Sequence, residues 1–366
     1  LRPLASAVML SVIAQAAYAG PGKGVSTYPD GRMADTFYAH SPSGLRLDPV
    51  ALNNALIAAA QPGAAPFTKV GIPTINTGKA LRKFVDPLPG VCAVGKGLSP
   101  AGKYLDVTKN AAGAVINKCI PLAVPDKATY QGSDYYEIGV VEYEEYMHSD
   151  LIKPTRLRGY VQLNDPANPV TKDGSGNYLT WPKPHYLGPI IATARGTPVR
   201  VKFVNLLPAG QSASVVGADG KTTFIAPRNG DLFIPVDRTL MGAGLGPDGA
   251  TMFLQNRAEI HLHGGDTPWI SDGTPHQWIA PAADEIALKA AGMKEFARGA
   301  STQNVPDMPD PGPGAMTYYF PNNQSARLMF YHDHTAGLTR VNVYSGQAAG
   351  YIITDPQEQA MVASGA

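Results

Sequence analysis

Short apolar runs separated by turn residues recur along the chain. Two examples are the run from Val199 to Val204 and the run from Tyr351 to Thr354. Runs of this length, bounded by glycine, proline and small polar residues, are typical of β-strands. No long helical heptad pattern accompanies them. The hydrophobic pattern therefore predicts an all-β protein with many loops.

Two segments depart from this pattern and predict helices. The first runs from Asp48 to Ala60, and the second from Ala283 to Arg298. The second segment carries acidic residues in its first turn and basic residues near its end, which matches the helix dipole. Residues 20–130 otherwise lack a sustained hydrophobic period and contain several turn clusters, such as Pro29-Asp30-Gly31. We expect this stretch to be an irregular extension that wraps the domain after it, and the second helix to be an insert.

The first 19 residues have the composition of an export signal. Arg2 precedes an apolar stretch, and Ala17-Tyr18-Ala19 then offers a small-x-small cleavage site before Gly20. We therefore expect the protein to be exported, to the periplasm or outside the cell. The alternative is a short buried or interfacial helix, since the apolar stretch is too short for an ordinary membrane span. No other segment predicts a membrane helix.

Composition agrees with a loop-rich β protein and narrows the possible partners. The 366 residues include 39 glycines and 33 prolines, which punctuate the apolar runs. The 30 basic residues are matched by 29 acidic ones, for a net charge of +1. Phosphate binding needs a clustered excess of Lys or Arg, so this balance argues against nucleic acid as a partner.

The chain has two cysteines, Cys92 and Cys119. In an exported protein they could form one disulfide that closes the intervening loop. Two buried free thiols are the alternative, because the sequence does not show whether the two Cα atoms come within bonding range.

Two histidine pairs carry the candidate chemistry. His261-Leu262-His263 and His332-Asp333-His334 hold half of the eight histidines, and each pair has the spacing at which a strand points two side chains the same way. Apolar residues precede both pairs and turn residues follow them, so we expect both at strand ends. Neutral imidazole is a common ligand of copper, zinc and iron. The spacing alone does not choose the metal; a single zinc ion and a structural role remain alternatives.

The surrounding motifs resemble those of the multicopper oxidases, and specifically the group of bacterial laccases, bilirubin oxidases and spore-coat-type laccases. The strongest matches are residues 261–265 followed by 271–273, and residues 331–334 followed by 338–346. Weaker matches are residues 83–89, 135–138, 148–160 and 196–201. The resemblance implies a cupredoxin-like Greek-key β-sandwich over residues 131–358, the first such domain of an oxidase. Residues 359–366 would then begin an interdomain linker.

The resemblance also implies roles for individual residues. His261 would bind a type 2 copper, His263 and His332 one copper of a type 3 pair, and His334 the other copper of that pair. Asp272 matches an acidic residue near this trinuclear cluster, where protons must reach oxygen. A solvated turn aspartate in Ser-Asp-Gly is the alternative interpretation of Asp272. His40, His148, His185 and His276 match no ligand, and we expect ordinary hydrogen-bonded roles for them.

The implied activity is the one-electron oxidation of phenolic, aromatic or metal-ion substrates, coupled to the four-electron reduction of O2 to water. Complete family members also carry a His-x-x-His-x-His block and a His-Cys-His segment, and neither is present in the 366 residues. The chain thus supplies half of the trinuclear ligands and lacks the type 1 copper site. We expect a fragment that needs the missing C-terminal cupredoxin domains and is inactive alone. The alternative is a stand-alone copper-binding, cupredoxin-like protein without turnover.

Overall fold

The computed structural model describes residues 86, 89–92, 107–109, 115–117, 119–148, 150–151, 153–210, 214–216, 222–224 and 229–365. The predicted export signal (residues 1–19), the predicted helix from Asp48 to Ala60 and most of the predicted extension lie outside these residues. The described strands are β1 Gly90–Val91, β2 Val107–Lys109, β3 Val115–Asn117, β4 Cys119–Ile120, β5 Asp134–Glu145, β6 Thr155–Gln162, β7 Leu187–Ala194, β8 Val199–Asn205, β9 Ser214–Val216, β10 Thr222–Phe224, β11 His261–His263, β12 Ala315–Phe320, β13 Arg327–His332 and β14 Ala348–Thr354.

Two four-stranded sheets form the centre of the molecule. One has the order β12-β8-β5-β6 and the other β11-β13-β14-β7. In each sheet one pair of neighbours is parallel, β5 with β8 and β14 with β7, and the other pairs are antiparallel. The chain crosses between the two sheets repeatedly, since strands that follow each other in sequence often lie in different sheets. This is the cupredoxin-like, Greek-key β-sandwich, and the predicted all-β fold class is confirmed.

The core lies between the two sheets. One cluster of buried apolar residues includes Val201 and Phe203 from β8, Tyr318 from β12, and Tyr331 and Tyr351 from the other sheet. Val199, Val201 and Phe203 alternate along β8 with the partly exposed Arg200 and Lys202, as expected for a strand with one face in the core. The predicted strand runs 199–204 and 351–354 are confirmed.

The predicted helix from Ala283 to Arg298 is in fact two helices, α1 (Ala282–Ala290) and α2 (Lys294–Ala297). Gly292 ends α1 with a left-handed backbone (φ 77°). The Gly292 N–H donates to the Lys289 carbonyl and the Met293 N–H to the Leu288 carbonyl, the Schellman arrangement. The prediction of one helix was wrong because glycine adopts this conformation without steric cost.

Two further helices follow, α3 (Thr339–Tyr344) and α4 (Pro356–Ser364). The Asp355 side chain accepts a hydrogen bond from the Glu358 N–H and caps α4, which has no buried residue. Most of the segment predicted as the start of a linker, residues 359–366, therefore lies in an exposed helix, and the linker itself stays a prediction. Among the described helices, none combines the length and apolar character that crossing a bilayer requires.

A buried glutamate holds the helical insert on the sandwich. Glu285 has no exposed surface and receives the Lys289 ammonium at 2.5 Å and the Arg298 guanidinium at 3.0 Å. The Gly314 N–H, just before β12, donates to the same carboxylate at 2.8 Å. Burial raises the pKa of Glu285, but the bonds from Arg298, Lys289 and Gly314 outweigh it and leave the pKa below its ordinary value.

The two cysteines form a disulfide between residue 92 and residue 119. This resolves the alternative of two free thiols. Cys119 lies in β4, and the chain that follows joins the sandwich, where the Ala123 N–H donates to the Ile190 carbonyl at 2.8 Å. The disulfide thus ties the described end of the extension to the edge of the second sheet, next to β7.

Candidate metal centre

Antiparallel pairing of β11 with β13 brings the two histidine pairs together. His261 is directly opposite His332, and His263 is opposite Phe330. Leu262, between the first two histidines, points the other way and is 1% exposed. His332 is the last residue of β13, so His334 lies two residues beyond the strand. The expected placement of both pairs at strand ends is confirmed. Within β11, His261 and His263 point to the same face, as the strand period predicts.

The four imidazole rings form one cluster. Ring centroids are 4.8 Å apart for His261 and His334, 5.4 Å for His261 and His332, and 5.4 Å for His263 and His332. One ring nitrogen each from His261, His263 and His332 lies within 4.8 Å of the other two. His334 stands beside this group of three, in contact with His261 and His332.

Hydrogen bonds determine which ring nitrogens face the cluster. His261 Nδ1 is 2.5 Å from the Asp272 carbonyl oxygen, and His332 Nδ1 is 2.6 Å from the Asp333 carbonyl oxygen. A carbonyl only accepts, so both Nδ1 atoms carry a proton, and in the neutral form of each ring the lone pair is on Nε2. His332 Nε2 lies 3.2 Å from His263 Nδ1. The sequence does not contain this information, because the accepting carbonyls come from the local chain path.

Burial keeps the inner imidazoles neutral. It lowers the pKa of His332 to about 4, with smaller contributions in the same direction from the neighbouring histidines. Burial also lowers the pKa of His334. Metal binding requires the unprotonated nitrogen, so these two rings are ready to bind a cation at neutral pH without first losing a proton.

Two carboxyl groups lie behind the imidazoles. Burial raises the pKa of Asp333 to about 6, although hydrogen bonds from Asn342 and Thr335 pull in the opposite direction. Burial, followed by the charge of Asp333, raises the pKa of Glu259 well above its usual range. Our sequence predictions did not include either residue. For Asp333 the available signal was an acidic residue between two histidines that the strand period points the other way; the period gives no such signal for Glu259, which is two residues before His261.

The opposite, outer side of the cluster is open. The Phe330 ring stacks on His263 with centroids 4.7 Å apart and the ring planes 16° from parallel. Phe330 is nevertheless 44% exposed, and Leu328, two residues earlier on the same side of β13, is 76% exposed. An apolar strip therefore continues from the histidines down the outer face of this sheet.

Asp272 contacts His261 through its backbone. It follows a short 3-10 helix (Trp269–Ser271), and its carbonyl oxygen is the acceptor for His261 Nδ1. Its carboxylate accepts a hydrogen bond from the Thr267 hydroxyl at 2.9 Å, and one oxygen is 3.9 Å from His261 Nδ1. The side chain is 36% exposed. Asp272 thus lies next to the cluster and also reaches solvent.

Gly273 allows this loop to approach β11, and its replacement by alanine should separate the two. Its φ is 68°, and an added Cβ would lie 2.0 Å from the Ile260 carbonyl oxygen. We expect G273A to destabilise the fold by at least about 2 kcal/mol, measured by urea unfolding. The control is G264A, where φ is 80° but the nearest atom is 4.0 Å away. An equal loss of stability in both variants would show that the close approach contributes nothing.

The donor set fits a nitrogen-preferring metal ion. The clustered ligand atoms of the described residues are imidazole nitrogens, which suit copper, zinc or iron better than calcium or magnesium. His334 Nδ1 is buried and has no hydrogen-bond partner within the described part of the chain. A buried polar atom without a partner is costly, and a bound cation would satisfy it.

Sequence comparisons find laccases and a bilirubin oxidase among the proteins similar to this chain. No protein-family model matches the chain. It is 29% identical over 242 residues to a laccase of Bacillus subtilis (strain 168), covering 65% of this chain and 33% of the relative. A laccase of Bacillus stratosphericus is 30% identical over 228 residues, 62% of this chain and 30% of the relative. A bilirubin oxidase of Albifimbria verrucaria is 46% identical over 66 residues, 18% of this chain and 11% of the relative.

Solved structures with similarity to the chain include a laccase from Pediococcus acidilactici, with a TM-score of 0.36 and 17% identity over 77% of this chain and 36% of that one. Another is a multicopper oxidase from Campylobacter jejuni, with a TM-score of 0.33 and 12% identity over 75% of this chain and 34% of that one.

The fold and the site define a cupredoxin-like domain with a four-histidine cluster at the end of one sheet. These sequence relatives are laccases and a bilirubin oxidase, and their similarity supports assignment of the chain to the multicopper oxidase family. The chain spans about a third of the length of the laccases it matches.

Proposed function

We propose that this chain is the first cupredoxin-like domain of a copper-dependent oxidase that couples one-electron oxidation of a small substrate to reduction of O2 to water. The observation that carries the proposal is the convergence of His261, His263 and His332 within 4.8 Å, with His334 beside them. The similarity to laccases supports copper over zinc as the metal.

Individual histidines would hold different copper ions. The 3.2 Å separation of His263 Nδ1 and His332 Nε2 supports their assignment to the same ion, one of the type 3 pair. His334 would bind the second type 3 ion and His261 the type 2 ion. When bound, several copper ions close together supply the electrons that oxygen needs for complete reduction. The protein's part is to keep His332 and His334 neutral through burial, and to orient His261 and His332 through hydrogen bonds at Nδ1.

The remaining ligands would come from C-terminal cupredoxin domains of the longer protein. The outer side of the cluster is open, and the exposed Phe330 and Leu328 continue it as an apolar strip. Exposed apolar surface beside an incomplete ligand set is typical of an interface. Both cysteines of the chain are in the disulfide, so neither supplies the thiolate of a type 1 copper. The substrate class, whether phenols, other aromatics or metal ions, would depend on those domains.

Export to the periplasm or the cell exterior is part of the proposal. The Cys92–Cys119 disulfide supports it, because disulfides persist in oxidising compartments. N-terminal sequencing of the mature protein tests export. The predicted signal, residues 1–19, should be absent from the mature protein.

Copper titration and turnover of the purified 366-residue chain test the proposed function. We expect Cu(II) to bind at the histidine cluster, weakly and without turnover of a phenolic dye, since half of the ligands are absent. The full-length protein should bind its coppers tightly and oxidise the dye. Failure of the chain to bind Cu(II) would refute the metal site, and dye oxidation by the chain alone would refute the half-site interpretation.

Replacing Asp272 with asparagine in the full-length protein tests its proposed role in proton delivery. The backbone carbonyl that holds His261 is unchanged in D272N, so copper content should match the wild type. Loss of an acid–base group should lower the rate of O2 consumption by about 100-fold. Copper content is measured by atomic absorption and O2 consumption with an electrode. Unchanged O2 consumption would leave Asp272 as an ordinary turn residue.

A further inference from the structure

Asp333 accepts four hydrogen bonds although it is completely buried. One carboxylate oxygen accepts from the Glu259 N–H at 3.1 Å and from the Thr335 hydroxyl at 2.7 Å. The other accepts from the Thr335 N–H at 3.1 Å and from Asn342 Nδ2 at 2.9 Å. All four donors come from segments that carry or support the histidine cluster.

These bonds link the two segments that carry the histidine pairs, whose relative position must stay fixed. Glu259 lies two residues before His261, and its N–H bonds to the Asp333 side chain just beyond the last paired residues of β11 and β13. Thr335 immediately follows His334. Asn342 is a buried residue of α3, and its side-chain amide also donates to the Arg257 carbonyl at 3.3 Å. The Asp333 carboxylate therefore connects both histidine pairs with α3.

The backbone of Asp333 adds two contacts. Its carbonyl oxygen accepts the His332 Nδ1 proton at 2.6 Å, and its N–H donates to the Gln347 carbonyl at 3.2 Å. The orientation of the His332 ring thus depends directly on where residue 333 is held. Movement of the Asp333 side chain would be transmitted to His332 through one peptide unit and to His261 through Glu259.

We propose that the Asp333 carboxylate is the positioning residue that sets the separation and orientation of the two histidine pairs. The proposal rests on the proposed metal site and adds to it a residue that does not contact the metal. A carboxylate suits this position because all four neighbours are donors and a carboxylate accepts only. An asparagine would present an NH2 group to at least one pair of donors and lose those bonds.

The test compares D333N with a matched control, D284N, in the chain and in the full-length protein. Asp284 is also a buried carboxylate, 3% exposed, and accepts from the Gly210 N–H and from Asn256 Nδ2, away from the histidines. Both variants should lose stability, because each leaves buried donors unpaired. D333N should weaken Cu(II) binding by about 10- to 100-fold, measured by competition with a chelator, whereas D284N should bind like the wild type.

T335V provides a milder change in case D333N does not fold. It removes the hydroxyl bond and keeps the Thr335 N–H bond, so Cu(II) affinity should lie between those of the wild type and D333N. Equal affinities of D333N and the wild type, or equal losses in D333N and D284N, would overturn the positioning role. Failure of the wild-type chain to bind Cu(II) would instead count against the metal site.

A measurement on the metal-free chain distinguishes failure of the positioning role from failure of the metal site. Nitrogen-15 NMR of the imidazoles should show His332 in the Nδ1–H form in the wild type and in D284N. D333N should show exchange between the two tautomers or a broadened His332 signal. A wild-type His332 signal in D333N would overturn the proposal independently of any metal.

Discussion

Replacement of His332 with glutamine is expected to lower the Cu(II) affinity of the chain by more than about 100-fold, the upper end of the effect of residues that only orient a metal ligand. The His332 ring contacts all three other imidazoles of the cluster. Its Nε2 is 3.2 Å from His263 Nδ1, and burial lowers its pKa to about 4, so the nitrogen is available at neutral pH. Glutamine cannot offer a comparable lone pair at that point. Chelator competition measures the affinity.

H276Q is the matched control for H332Q. His276 is exposed and lies in the same loop region as Asp272, but it is not part of the histidine cluster. Its replacement should leave Cu(II) affinity and stability unchanged. If H276Q and H332Q bind Cu(II) equally well, the ions are held by scattered surface imidazoles and the cluster is not their site.

The second large effect is expected from E285Q. Removal of one partner from a buried ion pair leaves the other uncompensated, at a cost of about 3–5 kcal/mol. Arg298 and Lys289 are partly exposed, so we expect the lower end, about 3 kcal/mol, in urea unfolding at neutral pH. K289Q is the control, since a half-exposed ammonium contributes only about 0–1 kcal/mol. Equal stabilities of E285Q and K289Q would show that the Arg298 pair does not hold the insert.

The same glutamate predicts a dependence of stability on pH. Its pKa in the folded protein lies below the ordinary value of 4.5, so the unfolded chain binds the proton more readily. Its contribution is complete above the ordinary pKa and is lost as the pH falls through the lower, folded value. The difference in unfolding free energy between wild type and E285Q should therefore be largest near neutral pH and shrink on acidification. A difference that grows in acid would contradict the lowered pKa.

Features that depend on neighbours in the sequence could be predicted well. Strand periodicity placed His261 and His263 on one face of β11, and apolar runs marked β8 and β14. The helix at residues 283–298 shows the limit of such reasoning. Its charges fit one long helix, but Gly292 adopts a left-handed backbone and Met293 bonds back to Leu288. Turn geometry of this kind depends on a single residue and is easily hidden by a longer pattern.

The sequence by itself determined the apolar strand runs of β8 and β14, the two histidine pairs and their resemblance to an oxidase family, because periodicity and motif spacing are local properties. Only the tertiary structure decided that His263 and His332, 69 residues apart in the chain, lie 3.2 Å from each other. It also decided that Asp333 bonds to Glu259 and that Gly273 packs on Ile260. These contacts depend on strand pairing and close packing between distant segments, which the order of residues does not display.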